Sequence, residues 1–283
     1  MEEQALELDI YAIDLEDKKA PALFAKSLKQ TGFAILKNHP FPKADIEAMY
    51  AAWGQWFTKG DKERFAAKPG EGDGYFGFKA ENAKGVTHKD LKEFFHCYKN
   101  CEIPDSVEAI TRDFQARMIA LGRKLLGWLD QESPKVITEQ LSESLTSMVE
   151  GSQANLLRIL HYPPLMDNTK PGEVRAAAHE DINLITLLVT GSEPGLQAQD
   201  LVGNWLAVPC HEGYITVNSG DMLKKATKGY YPSTPHRVVN PSKDHNRSRY
   251  SMPLFMHPRS EVFLDTQSAG EYLEERLHEI GLK

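Results

Sequence analysis

AAAHEDINLITLLVT, residues 176–190, holds two short apolar runs, Ala176–His179 and Leu184–Thr190, parted by a turn-forming segment. Each run has strand length. A strand sends alternate side chains to opposite faces, so His179 and Asp181, two apart, point the same way. Similar runs follow and precede it: Leu156–His161, Leu196–Gln199, Trp205–Val208, Ile215–Asn218, His236–Val239 and Tyr250–Met256, separated by Pro, Gly, Asn and Asp. Many short strands with turn signals between them predict a sandwich or barrel.

The chain before Gly151 reads differently. Glu7–Ile13 is strand-like, a helical pattern surrounds Leu23, Phe24 and Leu28, and Gly32 opens a short strand over 33–36. From Ala44 the residues Ile46, Met49, Tyr50, Trp53 and Phe57 recur at helical spacing. The glycine-rich KPGEGDGYFGFK (68–79) predicts a loop, and its aromatics Tyr75, Phe76 and Phe78 make it a candidate lid. Asp105–Asp130 carries Ile110, Phe114, Met118, Leu121, Leu125 and Leu129 on one stripe, a long amphipathic helix. A second helix is expected from about Thr138 to Val149. Ser268-Ala-Gly-Glu271 resembles a capping box opening a last helix with the stripe Leu273, Leu277 and Ile280. The expected fold class is mainly β with flanking helices (α+β). An N-terminal α/β region (1–104), a helical scaffold (105–150) and a β-rich core with a C-terminal helix (151–283) would form one compact unit.

Composition excludes several classes. With 283 residues and 41% hydrophobic composition the chain can bury a large core. A net charge of −7 gives no basic face for nucleic acid. No apolar run approaches the roughly 18 residues that cross a bilayer. Three cysteines, Cys97, Cys101 and Cys210, make no disulfide framework and read as free thiols. The expected setting is cytoplasmic, with a small-molecule substrate and neither nucleic acid nor membrane as partner.

The chemistry-bearing residues are few. His236 stands at the start of a strand, 55 positions after Asp181. Two imidazoles and one carboxylate form the facial set that leaves open positions on Fe(II). Thirteen residues further on, Arg249 and Ser251 share a strand face and can grip a carboxylate, the guanidinium through a charge-assisted pair of hydrogen bonds.

With these residues go LHYPP (160–164), AAHEDINLITLL (177–188), GLQAQD (195–200), GDML (220–223), TPHRVVNP (234–241) and RYSMPLF (249–255). GFAILKNHPF (32–41) and DLKEFF (90–95) extend the match to the N-terminal part. Together they resemble the isopenicillin N synthase-like family of 2-oxoglutarate/Fe(II)-dependent oxygenases. The resemblance implies a double-stranded β-helix (jelly roll) core with Fe(II), held by His179, Asp181 and His236, near one mouth. It also implies 2-oxoglutarate as co-substrate and O₂ as oxidant, with Arg249, Ser251 and Tyr162 binding the far carboxylate. Many plant members carry Asn two residues before that tyrosine; here the position is Leu160.

The expected activity is oxidative decarboxylation of 2-oxoglutarate coupled to oxidation, most simply hydroxylation, of a small molecule. A same-fold Fe(II) oxidase that does not use 2-oxoglutarate, and a metal-binding sensor without turnover, are the alternatives. The substrate pocket is expected to draw on Tyr75, Phe76, Phe78, Phe94, Phe95, Asn218, Lys224 and Lys225.

Overall fold

Helix-forming stripes and strand-forming runs alternate in the first half of the chain, and strands dominate the second. The computed structural model describes residues 7–68, 70–81, 88–189, 192–211 and 213–279. In order, the first elements are β1 (Ala12–Asp14), α1 (Ala20–Thr31), β2 (Phe33–Lys37), α2 (Lys43–Lys59), β3 (Gly74–Phe76), β4 (Glu93–Cys97) and α3 (Asp105–Glu132). Two short helices follow, α4 (Lys135–Thr138) and α5 (Leu145–Met148). The rest comprises β5 (Leu156–Tyr162), β6 (Ala176–His179), β7 (Ile185–Val189), β8 (Leu196–Gln199), β9 (Trp205–Ala207), β10 (Ile215–Ser219), α6 (Asp221–Ala226), β11 (His236–Val238), β12 (Arg249–Met256) and α7 (Ala269–Glu279).

Two sheets make the core, a jelly roll. One has eight strands in the order β1-β2-β10-β7-β12-β5-β4-β3; the other has four, β6-β11-β8-β9. The N-terminal strands therefore join the same sheet as the later ones, β2 lying antiparallel to β10 and β4 antiparallel to β5. α3 buries Val107, Phe114, Met118, Leu121, Leu125 and Leu129 and packs on α1, α2, α5 and the sheet. Its Thr111 accepts a hydrogen bond at 2.9 Å from the indole of the fully buried Trp53 of α2, so that large ring is buried without an orphan donor.

The passage from α1 to β2 takes one residue, Gly32, at φ 72°. A Cβ there would lie 3.0 Å from Thr234 Cβ and closer still to its hydroxyl, so the left-handed turn and the close approach both require glycine.

Several expectations are revised. Residues 68–79 are not wholly loop, because Gly74–Phe76 pairs with β4. The helix expected over Thr138–Val149 is instead the separate turns α4 and α5. Ser144 caps α5 at Ser147 N (3.2 Å), and the Asp130 carboxylate takes Leu145 N and Thr146 N. Such side-chain partners favour a new helix start over a continuous helix. Of the stretch Glu7–Ile13, Glu7 makes a single bridge to Ala207, and the strand proper begins at Ala12. The capping box forms: Ser268 N reaches Glu271 Oε2 at 3.0 Å and Glu271 N reaches Ser268 Oγ at 3.3 Å. Ile280 lies outside the described residues.

Candidate active site

β11 runs antiparallel to β6 with His236 directly opposite His179, which brings the two rings to 4.4 Å between centroids. Asp181 follows β6 by two residues and is buried. Its Oδ1 lies 3.6 Å from His236 Nε2 and 3.9 Å from His179 Nε2. One atom from each residue thus falls within 4.8 Å of the others.

Each group is oriented from behind. His179 Nδ1 lies 2.8 Å from the Ala177 carbonyl and His236 Nδ1 3.1 Å from that of Thr234. Those contacts put the proton on Nδ1 and leave the Nε2 lone pairs toward the centre. Phe33 stands edge-on to His236 at 5.9 Å. Asp181 Oδ2 accepts from Thr186 Oγ1 at 2.6 Å and from Asn218 Nδ2 at 2.7 Å. Thr186 and Asn218 are opposed across β7 and β10, so both side chains reach one carboxylate oxygen and leave the other to the centre.

Burial raises the Asp181 pKa, but His236, His179 and the Asn218 and Thr186 hydrogen bonds outweigh it, and the net shift is downward. Burial, then the neighbouring His236, holds His179 below its ordinary value. A carboxylate held ionised and an imidazole held neutral, as Asp181 and His179 are, is what a divalent cation requires of such ligands. These donors suit Fe(II), whose oxygenase sites take two imidazoles and one carboxylate.

The loop bearing Asp181 is clamped against the start of α6. Asp221 N donates to the Asp181 carbonyl at 2.7 Å, and a Cβ at Gly220 would come within 2.8 Å of that same oxygen and nearer still to the Asn183 carbonyl.

Further into the barrel, β12 lies against β5 with Arg249 opposite Tyr162 and Ser251 opposite Leu160. All four are buried. The guanidinium carbon of Arg249 lies 5.2 Å from the Tyr162 ring centroid, and its Nε donates to the Glu193 carbonyl at 3.0 Å. Its Nη1 is buried and has no partner among the described residues. An orphaned guanidinium nitrogen between the sheets fits a carboxylate ligand. His161 points to the other face, bonding Glu93 (2.7 Å) and Ser248 (3.0 Å).

A cavity of about 550 Å³ is lined by His179 and Asp181. One wall is charged. Arg158 donates to His96 Nε2 at 2.7 Å and to Glu81 at 3.2 Å; Lys92 reaches Asp90 at 2.8 Å and Glu81 at 3.1 Å. Burial, then Arg158, pushes His96 down to about 3, so it accepts the guanidinium proton as a neutral ring. Burial alone would raise Glu81, but Arg158 and Lys92 hold it well below its ordinary range. The facing wall comes from α7 through Leu273, Arg276 and Leu277.

The eight residues expected to shape the pocket fall elsewhere. Tyr75 gives its hydroxyl to Glu93, Phe76 stacks on Phe94 at 4.8 Å, and Phe78 lines a separate surface cavity with Met166 and Lys170. Phe94 is fully buried behind Arg158, whose guanidinium sits 4.5 Å over its ring. Phe95, on the opposite face of β4, packs against Trp53 and Trp56 in the main core. Asn218 serves Asp181. Lys224 is half exposed, 3.7 Å from Glu180, and Lys225 lies over the Tyr272 ring. Among the described residues the cavity walls are formed by others, and the charged group Glu81, Asp90, Lys92, His96 and Arg158 is the part that sequence reasoning missed. Its signal was alternation: Lys92, Phe94 and His96 share a face with Arg158, Leu160 and Tyr162 across the β4–β5 pair.

Residues 153–258 match the model of the 2OG-Fe(II) oxygenase superfamily, and residues 8–115 match the N-terminal model described as non-haem dioxygenase in morphine synthesis. A crystal structure of a candidate oxygenase from Shewanella oneidensis is 42% identical, with a TM-score of 0.85 over 96% of this chain and 98% of that one. The 2-oxoglutarate-dependent dioxygenase citB of Monascus ruber is 28% identical over 247 residues, 80% of this chain and 74% of its own. A full-length protein of Neurospora crassa, solved in complex with alpha-KG, shares the fold at a TM-score of 0.79 and 23% identity, over 98% of each chain. The chain belongs to the 2OG-Fe(II) oxygenase superfamily. Its activity class is that of the 2-oxoglutarate-dependent dioxygenases, with Fe(II), 2-oxoglutarate and O₂ as its requirements.

Proposed function

We propose that His179, Asp181 and His236 hold the iron, that Arg249, Ser251 and Tyr162 hold the far carboxylate of 2-oxoglutarate, and that a small molecule entering the 550 Å³ cavity is hydroxylated. The observation that carries this reading is the split of Asp181: Oδ2 tied by Thr186 and Asn218, Oδ1 turned to two imidazoles whose Nδ1 atoms are already engaged.

Bound iron supplies the oxidising chemistry, in which 2-oxoglutarate and O₂ give succinate and CO₂ and the second oxygen atom passes to a substrate C–H bond. The chain's own residues do the rest. Thr186 and Asn218 fix the carboxylate, the Ala177 and Thr234 carbonyls fix the imidazole tautomers, and the buried Arg249 orients the co-substrate. The Arg158 wall and α7 bracket the substrate and limit water beside the reacting C–H bond.

The reducing, cytoplasmic setting is supported by Cys97, Cys101 and Cys210 as free thiols. Among the described residues no helix is long and apolar enough to cross a membrane. The test is stoichiometric. One succinate formed per 2-oxoglutarate lost, abolished in His179→Ala, is expected; substrate oxidation without succinate would favour an oxidase that dispenses with the co-substrate.

A further inference from the structure

Arg249 is not the only buried guanidinium without an acidic partner. Arg175, at the entry to β6, is 2% exposed, as is Arg249. It lies four residues before His179, where β6 slips in register between the His179–His236 and Ala176–Val238 pairs. Its Nη2 donates to the Arg247 carbonyl at 2.5 Å, which sets the guanidinium beside the chain just ahead of Arg249. Among the described residues its Nε is buried with no partner, as is Arg249 Nη1. Among the described residues neither arginine forms an ion pair. Glu193, close enough to act on Arg175 electrostatically, offers Arg249 its backbone carbonyl rather than its carboxylate.

Two like charges buried together without an anion are costly. Desolvation alone penalises each by several kcal/mol, and removing a partner from a buried ion pair costs about as much. The strain is visible: burial, then the charge of Arg249, pulls Arg175 down to about 10. Tyr162, opposite Arg249, acts on Arg175 as well. Leu160, on the same face as Tyr162, adds no polar contact there.

We infer that Arg175 is a second guanidinium of the co-substrate site, and that the far carboxylate of 2-oxoglutarate sits between Arg175 and Arg249 and offsets one of their two charges. The inference rests on the reading of Arg249 as the carboxylate anchor. Under it, charge rather than shape selects a 2-oxo acid with a second carboxylate, and the empty barrel carries an electrostatic penalty that the ligand relieves.

The test measures binding, without turnover, on anaerobic Fe(II)-loaded protein. Probes are 2-oxoglutarate and 2-oxobutyrate, a 2-oxo acid lacking the far carboxylate. Charge-assisted hydrogen bonds of this kind correspond to about tenfold to a hundredfold in affinity. Arg175→Met is expected to weaken 2-oxoglutarate by that factor and to leave 2-oxobutyrate within about twofold. The melting temperature of the ligand-free protein should hold or rise, while the rise produced by 2-oxoglutarate shrinks. Arg175→Gln, which keeps a donor for the Arg247 carbonyl, serves if the Met variant does not fold. Wild-type 2-oxoglutarate affinity in both Arg175 variants, with binding lost in Arg249→Met, would overturn the inference and leave the anchor standing. Equal loss of both 2-oxo acids would overturn it too, by placing the effect on the fold or the metal end. Unchanged binding in Arg249→Met would instead overturn the anchor reading itself.

Discussion

Asn218→Ala isolates one hydrogen bond to the carboxylate proposed to hold the iron. Asn218 Nδ2 gives Asp181 Oδ2 a 2.7 Å bond inside the barrel, and Thr186 gives the only other side-chain bond to that oxygen among the described residues. A hydrogen bond to a charged group contributes about 1.5–3 kcal/mol. Groups that orient metal ligands typically alter metal affinity by about 10- to 100-fold, in agreement with that energy. The expected result is a Kd for Fe(II) raised by about one to two orders of magnitude, read anaerobically by competition with a coloured chelator. Asn218→Ala with Thr186→Val should lose more than either alone, since Asp181 is then free to rotate. The ligand-free variants should also melt lower, because each substitution takes a donor from the buried Asp181 carboxylate, so metal affinity is read on protein shown to be folded. A Kd within twofold of wild type in the double variant would show that the carboxylate is positioned by something else, and the reasoning would fail.

Gly220→Ala would drive a methyl group into the Asp181 and Asn183 carbonyls, so it should lower both metal affinity and melting temperature; Gly220→Ala with unchanged metal binding would contradict the clamp. Stability should fall in mild acid through His96. Its folded value is about 3 against 6.5 unfolded, so between those values the unfolded chain takes up a proton that the native state refuses. His96's contribution is full above 6.5 and falls by about 2 kcal/mol from pH 7 to pH 5, so His96→Gln should lose that much less over this interval, as urea unfolding at each pH will show. Glu81 acts only at lower pH: its contribution is full above the ordinary carboxylate value and is lost progressively as pH falls below it. Lys224→Ala with Lys225→Ala removes a half-exposed ion pair and a surface ring contact, and should change stability by less than about 0.5 kcal/mol and 2-oxoglutarate affinity not at all.

Most of the barrel could be read from short apolar runs because a strand declares itself locally. β5, β6, β7, β8, β10 and β12 fall where those runs lie, within a residue or two at their ends. β4 was less legible: its five residues, Glu93 to Cys97, are buried on both faces, so its alternation is hidden, and its pairing with β3 depends on a glycine-rich stretch that reads as loop. His179, Asp181 and His236 could be named together because spacing and company pointed to them; their convergence depends on the β6–β11 register, which no local pattern encodes. The cavity wall was hidden for the same reason. Glu81, Lys92, His96 and Arg158 come from three separate segments and meet only across the β4–β5 pair and its flanking loop. Aromatics near the DLKEFF segment looked like pocket lining, yet Phe95 is on the core face and Phe94 lies behind Arg158.

The account turns on one metal centre made by His179, Asp181 and His236 next to a 2-oxo acid site. Anaerobic titration with Fe(II), then 2-oxoglutarate, followed by visible absorption, tests it directly. The account predicts one iron per chain and a charge-transfer band that grows with 2-oxoglutarate, and neither in Asp181→Ala. A wild-type protein that gives no band, or an Asp181→Ala variant that gives the band undiminished, would contradict it.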